Sequence, residues 1–205
     1  MGKTIAVPTV ELLDMRDKIL DAALQTFAER GFEGATLTLI ANRSGSTTPL
    51  IVYHFKNKLE LWRAVVTTFT GRHMEAVNNV LDAPDLSAGA RLSRFIERNM
   101  ELLAARPELH RLIVSDSYQP SERLTWLVNS LIKPYYGRMV SLIEEAQAEG
   151  SVRKLDVGRL RYAILGVLSL PAIAAEYELL TGADPRSPRE VKASIRFLKD
   201  LIFLD

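Results

Sequence analysis

The chain contains no cysteine. Disulfides, thiolate zinc sites and thiol nucleophiles are therefore excluded. Net charge is almost absent as well: 26 lysines and arginines against 25 aspartates and glutamates leave +1. Bulk charge thus carries no message about nucleic acid, and any basic footprint has to be local. Long apolar runs are also missing. The longest uncharged stretch, Tyr162 to Ala175, falls short of the ~20 residues of a membrane span. The opening MGKTIAVPTVELLDM has no secretory pattern, because its apolar part is short and broken by Pro8 and Glu11. These absences lead to the expectation of a cytoplasmic protein with no membrane partner.

Catalytic signatures are scarce too. The three histidines, His54, His73 and His110, stand apart, with no carboxylate-supported pair at helical spacing. No metal site is expected from them. There is no Gly-x-Ser-x-Gly, phosphate-binding loop or dinucleotide fingerprint. Ser130 and Lys133 have Ser-x-x-Lys spacing but none of the partner motifs such a site needs. Glu97 with Glu101, and Glu144 with Glu145, read as solvated stripes. No catalytic residue and no cofactor is expected, and the chain does not read as an enzyme.

What the sequence does have is helical periodicity almost throughout its 205 residues, with 47% hydrophobic residues to build a core. Residues 1–14 read as a loose arm. Arg16 to Arg30 reads as a first helix, with Ile19, Leu20, Ala23, Leu24 and Phe27 on one face and Gly31 beyond its end. Thr36 suits the N-cap of a short second helix to Ser44, and Thr47 that of a third to Phe55. Asn57 and Glu60 form the capping-box pair of a long fourth helix, which stops at Ala83-Pro84-Asp85.

Further helices are expected at 87–105, 108–115, 121–149, 156–180 and 187–204. Pro134 and Pro171 should kink or interrupt two of them. The fold class is all-α: an N-terminal three-helix helix-turn-helix domain (residues 15–61) joined to a larger C-terminal helical bundle (62–205) with a dimer interface.

The informative segment is Thr36 to Lys58. Two short helices flank the Gly45-Ser46 turn, the spacing of a helix-turn-helix. Ile40, Ala41, Ile51 and Phe55 are placed to pack between them. The segment holds Arg43, Lys56 and Lys58 and no acidic residue. A positive face beside such a motif is what phosphate binding requires. Thr47, Thr48 and Pro49 open the third helix, and proline in a first turn costs no hydrogen bond.

Residues Arg16 to Leu61 resemble the N-terminal domain of the TetR family of regulators. The matching pieces are Ile19-Leu20-Asp21-Ala22-Ala23, Phe27, Gly31, Thr36, Ile40-Ala41, Gly45, His54-Phe55 and Lys58. Two positions depart from the family pattern: Ser46 stands where a valine is usual, and Val52 where a phosphate-contacting tyrosine is usual. Tyr53 lies about 100° further round the helix.

The resemblance implies that Thr36, Thr47, His54 and Lys58 hold the DNA backbone, while Thr48, Pro49, Leu50 and Tyr53 face the bases. It also implies a homodimer on near-palindromic double-stranded operator DNA, released by a small-molecule effector. Repression is that family's common mode.

The C-terminal half supports such an arrangement in outline. Tyr162 to Ala175 is apolar all round, as a helix buried on every side would be. The last helix has Val191, Ile195, Leu198 and Ile202 on one face and Phe197, Leu201 and Leu204 on another. Both helices suit a four-helix interface between two subunits. Phe95, Met100, Trp126, Tyr135, Tyr136, Met139, Leu165, Leu168 and Tyr177 are the candidate lining of a pocket for an apolar effector. Arg98, Arg111 or Arg138 would meet a carboxylate at its rim. Two other readings stay open: a DNA-binding protein without ligand control, and a helical enzyme or interaction module.

Overall fold

The computed structural model describes residues 10–204, with side chains from Met15 onward. Residues 1–9 of the expected arm lie outside the described residues. Helix α1 spans Val10–Gly34, starting ahead of the expected Arg16. Gly31 breaks its geometry with φ 67° and ψ 176°, and one last turn completes the helix. That left-handed φ is open to glycine at little cost.

Helix α2 (Leu37–Ser44) begins where Thr36 accepts the Leu39 amide at 3.2 Å. It ends at Gly45, whose φ of 66° and ψ of 26° are left-handed. Helix α3 (Thr48–Phe55) is capped by Thr47, and α4 (Lys58–Leu81) by Asn57 through the Glu60 amide at 2.9 Å. Each cap satisfies an amide that has no partner inside its helix.

The chain divides into two compact units between Phe69 and Thr70, further along than the expected boundary at 61. In the first unit the apolar stripe of α1 (Ile19, Leu20, Ala23, Leu24, Phe27) is buried with Ile40, Ala41, Ile51 and Phe55. Leu61, Trp62, Val65 and Val66 complete that core.

The second unit holds α5 (Ala88–Ala105), α6 (Glu108–Ser115), α7 (Glu122–Leu127), α8 (Lys133–Ala148), α9 (Val157–Leu168), α10 (Ala174–Thr181) and α11 (Pro188–Ile202). Both prolines act as expected. A π-helical stretch, Val128–Ile132, precedes Pro134 and joins α7 to α8. Around Pro171 lies a 3-10 turn, Leu170–Ile173, and the chain bends by 46° between α9 and the segment Leu170–Thr181. The single helices expected over 121–149 and 156–180 are thus each divided.

Leu92, Phe95, Ile96 and Met100 of α5 pack into one core with Met139, Leu142 and Ile143 of α8, Leu160, Ile164 and Leu168 of α9, and Leu198 and Ile202 of α11. The Glu149 carboxylate closes the start of α5 by accepting the Ala88 and Gly89 amides at 2.9 and 3.2 Å. Those two bonds hold its pKa below the usual carboxylate value. The last helix ends at Ile202, and Phe203 forms an isolated antiparallel bridge with Val152.

The apolar run at 162–175 is buried on one side only. Ile164, Leu168, Pro171 and Ala174 are buried, while Tyr162 and Ile173 are exposed. Leu179 at 88% exposure, Leu180, Phe197, Leu201 and Leu204 are exposed as well. The second face read from the last helix is the exposed one. No single helix among the described residues is long and apolar enough to cross a membrane.

Candidate functional site

The turn between α2 and α3 is held by main chain and small side chains. The Gly45 and Ser46 amides both donate to Ala41 O, the latter at 2.9 Å. Ser44 Oγ donates to Ile40 O at 2.8 Å and lies 2.7 Å from Ser46 Oγ. Serine at position 46 therefore joins a local hydroxyl pair where valine could only pack. The turn sets α3 with Ile51 and Phe55 inward. Its opposite face carries Pro49, Val52 and Tyr53, all exposed.

Tyr53 is 77% exposed, so it is not packed against α1. Thr48, Leu50 and His54 are half-buried at the edges of that face. The His54 ring sits 5.3 Å from Tyr53 and 5.9 Å from Phe55, and its Nε2 is buried with no hydrogen-bond partner.

Thr36 and Thr47 spend their oxygen lone pairs as caps, at 3.2 and 3.4 Å from Leu39 N and Leu50 N. Each keeps its O–H as a donor. Lys56, exposed at the end of α3, has φ 66°, the one left-handed non-glycine backbone among the described residues. Its backbone N–H ends α3 by donating to Val52 O at 2.8 Å.

Two cations of the acid-free segment are already engaged. Arg43 pairs with Glu29 at 2.7 Å and reaches Thr26 Oγ1 at 3.4 Å. Lys58 donates to Phe32 O at 2.9 Å and sits over the Phe32 ring. The local positive face is narrower than the residue count suggested.

The second unit contains a cavity of about 400 Å³, open to solvent and mostly apolar. Of the expected lining, Phe95, Tyr135, Met139, Leu165 and Leu168 are there. Met100 is instead fully buried in the core. Trp126 is half-buried outside the lining. Tyr136 lies under Arg161, and Tyr177 points its hydroxyl at Glu190, 2.9 Å away.

The three arginines expected at the rim are held elsewhere. Arg98 pairs with Glu101 at 3.3 Å, Arg111 donates to Ala172 O at 2.7 Å, and Arg138 pairs with Asp82 at 2.6 Å.

Sequence reasoning missed most of the polar lining: Thr70, His73, Asn99, His110, Ser117, Arg161 and Tyr162. A signal was present. Arg161 shares a helix face with Ile164, Leu165 and Leu168, and His110 with Ile113 and Val114. Polar residues on apolar stripes are the ones that enter a cavity or a core.

His73 Nε2 lies 2.9 Å from Asn99 Oδ1, and Asn99 Nδ2 donates to Phe95 O at 2.9 Å. His110 Nε2 lies 2.7 Å from Ser169 Oγ. Burial lowers both histidine pKa values, that of His110 to about 4. Burial likewise raises the Tyr135 phenol, partly offset by the charge of Arg161. Near neutral pH the histidines and the phenol are uncharged.

Two family models match this chain. The model of bacterial regulatory proteins of the tetR family covers residues 19–65, and the tetracyclin repressor-like C-terminal domain covers residues 85–172. The chain belongs to the TetR family. It is a transcriptional regulator with a DNA-binding helix-turn-helix, and not an enzyme.

Among similar proteins is the transcriptional activator FasR of Mycolicibacterium smegmatis. It is 23% identical over 184 residues, covering 90% of this chain and 81% of FasR. The regulator BetI of Klebsiella pneumoniae is 37% identical over 87 residues, covering 42% of this chain and 45% of BetI. A solved Clostridium perfringens protein, assigned as a fatty acid metabolism regulator, superposes with a TM-score of 0.76. It is 21% identical, covering 92% of this chain and 100% of that one.

Proposed function

We propose that this TetR-family chain is a cytoplasmic one-component repressor that binds near-palindromic operator DNA as a homodimer. A small, largely apolar effector entering the cavity of the second unit releases it. The observation that carries the DNA part is the outer face of α3, where Pro49, Val52 and Tyr53 stand clear of the core. Apolar contacts to thymine methyls and a tyrosine hydroxyl for base edges suit that face. Thr36 and Thr47 keep hydroxyl donors for phosphates, as does Lys58 its third ammonium proton. Thr48 and Leu50 join that face toward the bases, and His54 lies beside it on the side of the backbone.

The dimer reading rests on the exposed apolar residues of α9 to α11 and the tail beyond. Leu179, Leu180, Phe197, Leu201 and Leu204 are all exposed, and large exposed apolar side chains gathered on one part of a chain mark an interaction surface. A two-fold pairing places two recognition helices about 34–36 Å apart, one turn of DNA.

Helix α4 supplies the coupling. It carries Lys58 at its start, and its Thr70, His73 and Met74 line the cavity. An effector moves the equilibrium only by its difference in affinity for the two states. A hundredfold loss of DNA affinity needs about 2.7 kcal/mol. Repression is the sign proposed, although FasR is an activator by name.

The test is selection of operators from random duplexes with the purified chain, repeated with a panel of metabolites. A selected near-palindrome that is lost with one class of metabolite supports the reading. No attraction for any duplex at low ionic strength overturns it.

A further inference from the structure

The cavity of the second unit holds one permanently charged side chain among its described lining, Arg161, and no carboxylate. Arg161 is only 8% exposed. A buried guanidinium normally has an acid beside it, because losing hydration without a partner is costly. Here the charge rests on two rings: its carbon lies 4.8 Å from the centre of Tyr136 and 5.0 Å from that of Tyr162. Those contacts use the charge. They leave the N–H donors unspent, and none has an acceptor or ion-pair partner among the described residues. The cavity wall holds a second unused polar atom, the buried hydroxyl of Thr70.

The remaining polar groups of the wall do not supply a counter-charge. Asn99 is engaged by His73 and Phe95 O, His110 by Ser169, and none of these groups carries a negative charge. Beyond the hydroxyls of Ser117, Tyr135 and Tyr162 the rest is apolar, with Phe95, Met139, Ile164 and Leu168 among it. A guanidinium offers paired, parallel donors that match a carboxylate. A single positive charge balances one negative charge, and a phosphate dianion would need a second cation.

We propose that the effector is a monocarboxylate with an apolar body, whose head group pairs with Arg161 while its body fills the cavity. This inference rests on the effector reading of the cavity and narrows it. The cavity's volume of about 400 Å³ falls in the ~300–1,000 Å³ range of small-molecule sites.

The test is titration of the full chain with decanoate, decanol and decylammonium, followed by calorimetry, with Arg161→Met and Arg161→Lys alongside. Decanoate is expected to bind about thirtyfold more tightly than decanol, the worth of one charge-assisted pair, and decylammonium not to bind. Arg161→Met should lose that preference while still binding decanol. Arg161→Lys keeps the charge without the fork and should retain only part of the preference. It serves as the informative variant should Arg161→Met not fold.

Equal affinity for acid and alcohol, a preference that survives in Arg161→Met, or no binding by any probe overturns the assignment. Operator affinity is read separately. Decanoate bound with operator affinity unchanged supports the carboxylate site and overturns the effector reading. Release of the operator by decanol, with decanoate inert, does the reverse.

Discussion

Nζ of Lys58 donates to the main-chain oxygen of Phe32 at 2.9 Å, and the same ammonium lies 4.4 Å from the centre of the Phe32 ring. A lysine at the first position of a helix is disfavoured by the helix dipole unless something anionic meets it. Here the carbonyls at the end of α1 play that part, with Glu33 O at 3.5 Å as a second acceptor. Lys58 therefore ties the start of α4 to the end of α1 before any DNA arrives. Lys58→Met should cost about 1–2 kcal/mol in urea unfolding, by loss of charge-assisted hydrogen bonds. It should also lower the salt slope of DNA binding by about one, through the third donor. A stability loss with an unchanged slope would assign Lys58 to the fold alone.

Tyr53 is expected to behave in the opposite way. At 77% exposure its side chain contributes little packing. Tyr53→Ala should leave the urea midpoint within about 0.5 kcal/mol of wild type. Operator binding should weaken by about 1–3 kcal/mol, with random-sequence binding nearly unaffected. Competition of a selected operator against random duplex, measured for both proteins, decides it. Equal losses on both duplexes would make Tyr53 a phosphate contact.

The contrast between these two residues shows what was readable in the sequence. The caps Thr36, Thr47 and Asn57 and the Gly45 turn were legible because each acts within three or four residues of chain. The burial of Ile19, Phe27, Ile40, Ile51 and Phe55 followed from period alone. Cavity membership did not. Tyr135 and Tyr136 are neighbours in sequence, yet about 100° of helix rotation sends one into the cavity and the other under Arg161. The engagement of Arg43 with Glu29 and of Lys58 with Phe32 spans two helices, and composition cannot encode it.

Gly89 is required by a close approach. A Cβ there would lie 2.4 Å from Ser151 Oγ and 2.7 Å from Ser151 Cβ. Ser151 is itself held by its hydroxyl bond to Ala146 O at 3.0 Å. Gly89→Ala should destabilise the chain by about 1–3 kcal/mol through overpacking. Adding Ser151→Gly removes the opposing side chain and should recover most of the loss. Gly137→Ala, where nothing lies within 4 Å, should be neutral or stabilising in its helix. Thermal unfolding of these variants checks the account, and equal midpoints for Gly89→Ala and Gly137→Ala would refute it.

His110 predicts a pH dependence with a definite sign. Burial, with the nearby His73 adding to it, pushes its pKa down to about 4. The unfolded chain binds that proton near the ordinary value of ~6.5. Protonation therefore favours the unfolded state. The stabilising effect of neutral burial is complete above about pH 6.5 and is lost as pH falls toward 4. The loss approaches ~1.4 kcal/mol per pH unit, on the order of 3 kcal/mol across the window. His73, also lowered by burial, acts in the same direction. Glu149, whose carboxyl is held below its ordinary value, enters only below about pH 5, so the interval from 7 to 5 is read on the histidines. Urea midpoints should fall across that interval, and His110→Gln, which keeps an amide for Ser169 but cannot titrate, should flatten the fall. A midpoint independent of pH between 7 and 5 would mean that the His110 ring is hydrated in the folded chain, and the contact with Ser169 would have to be given up.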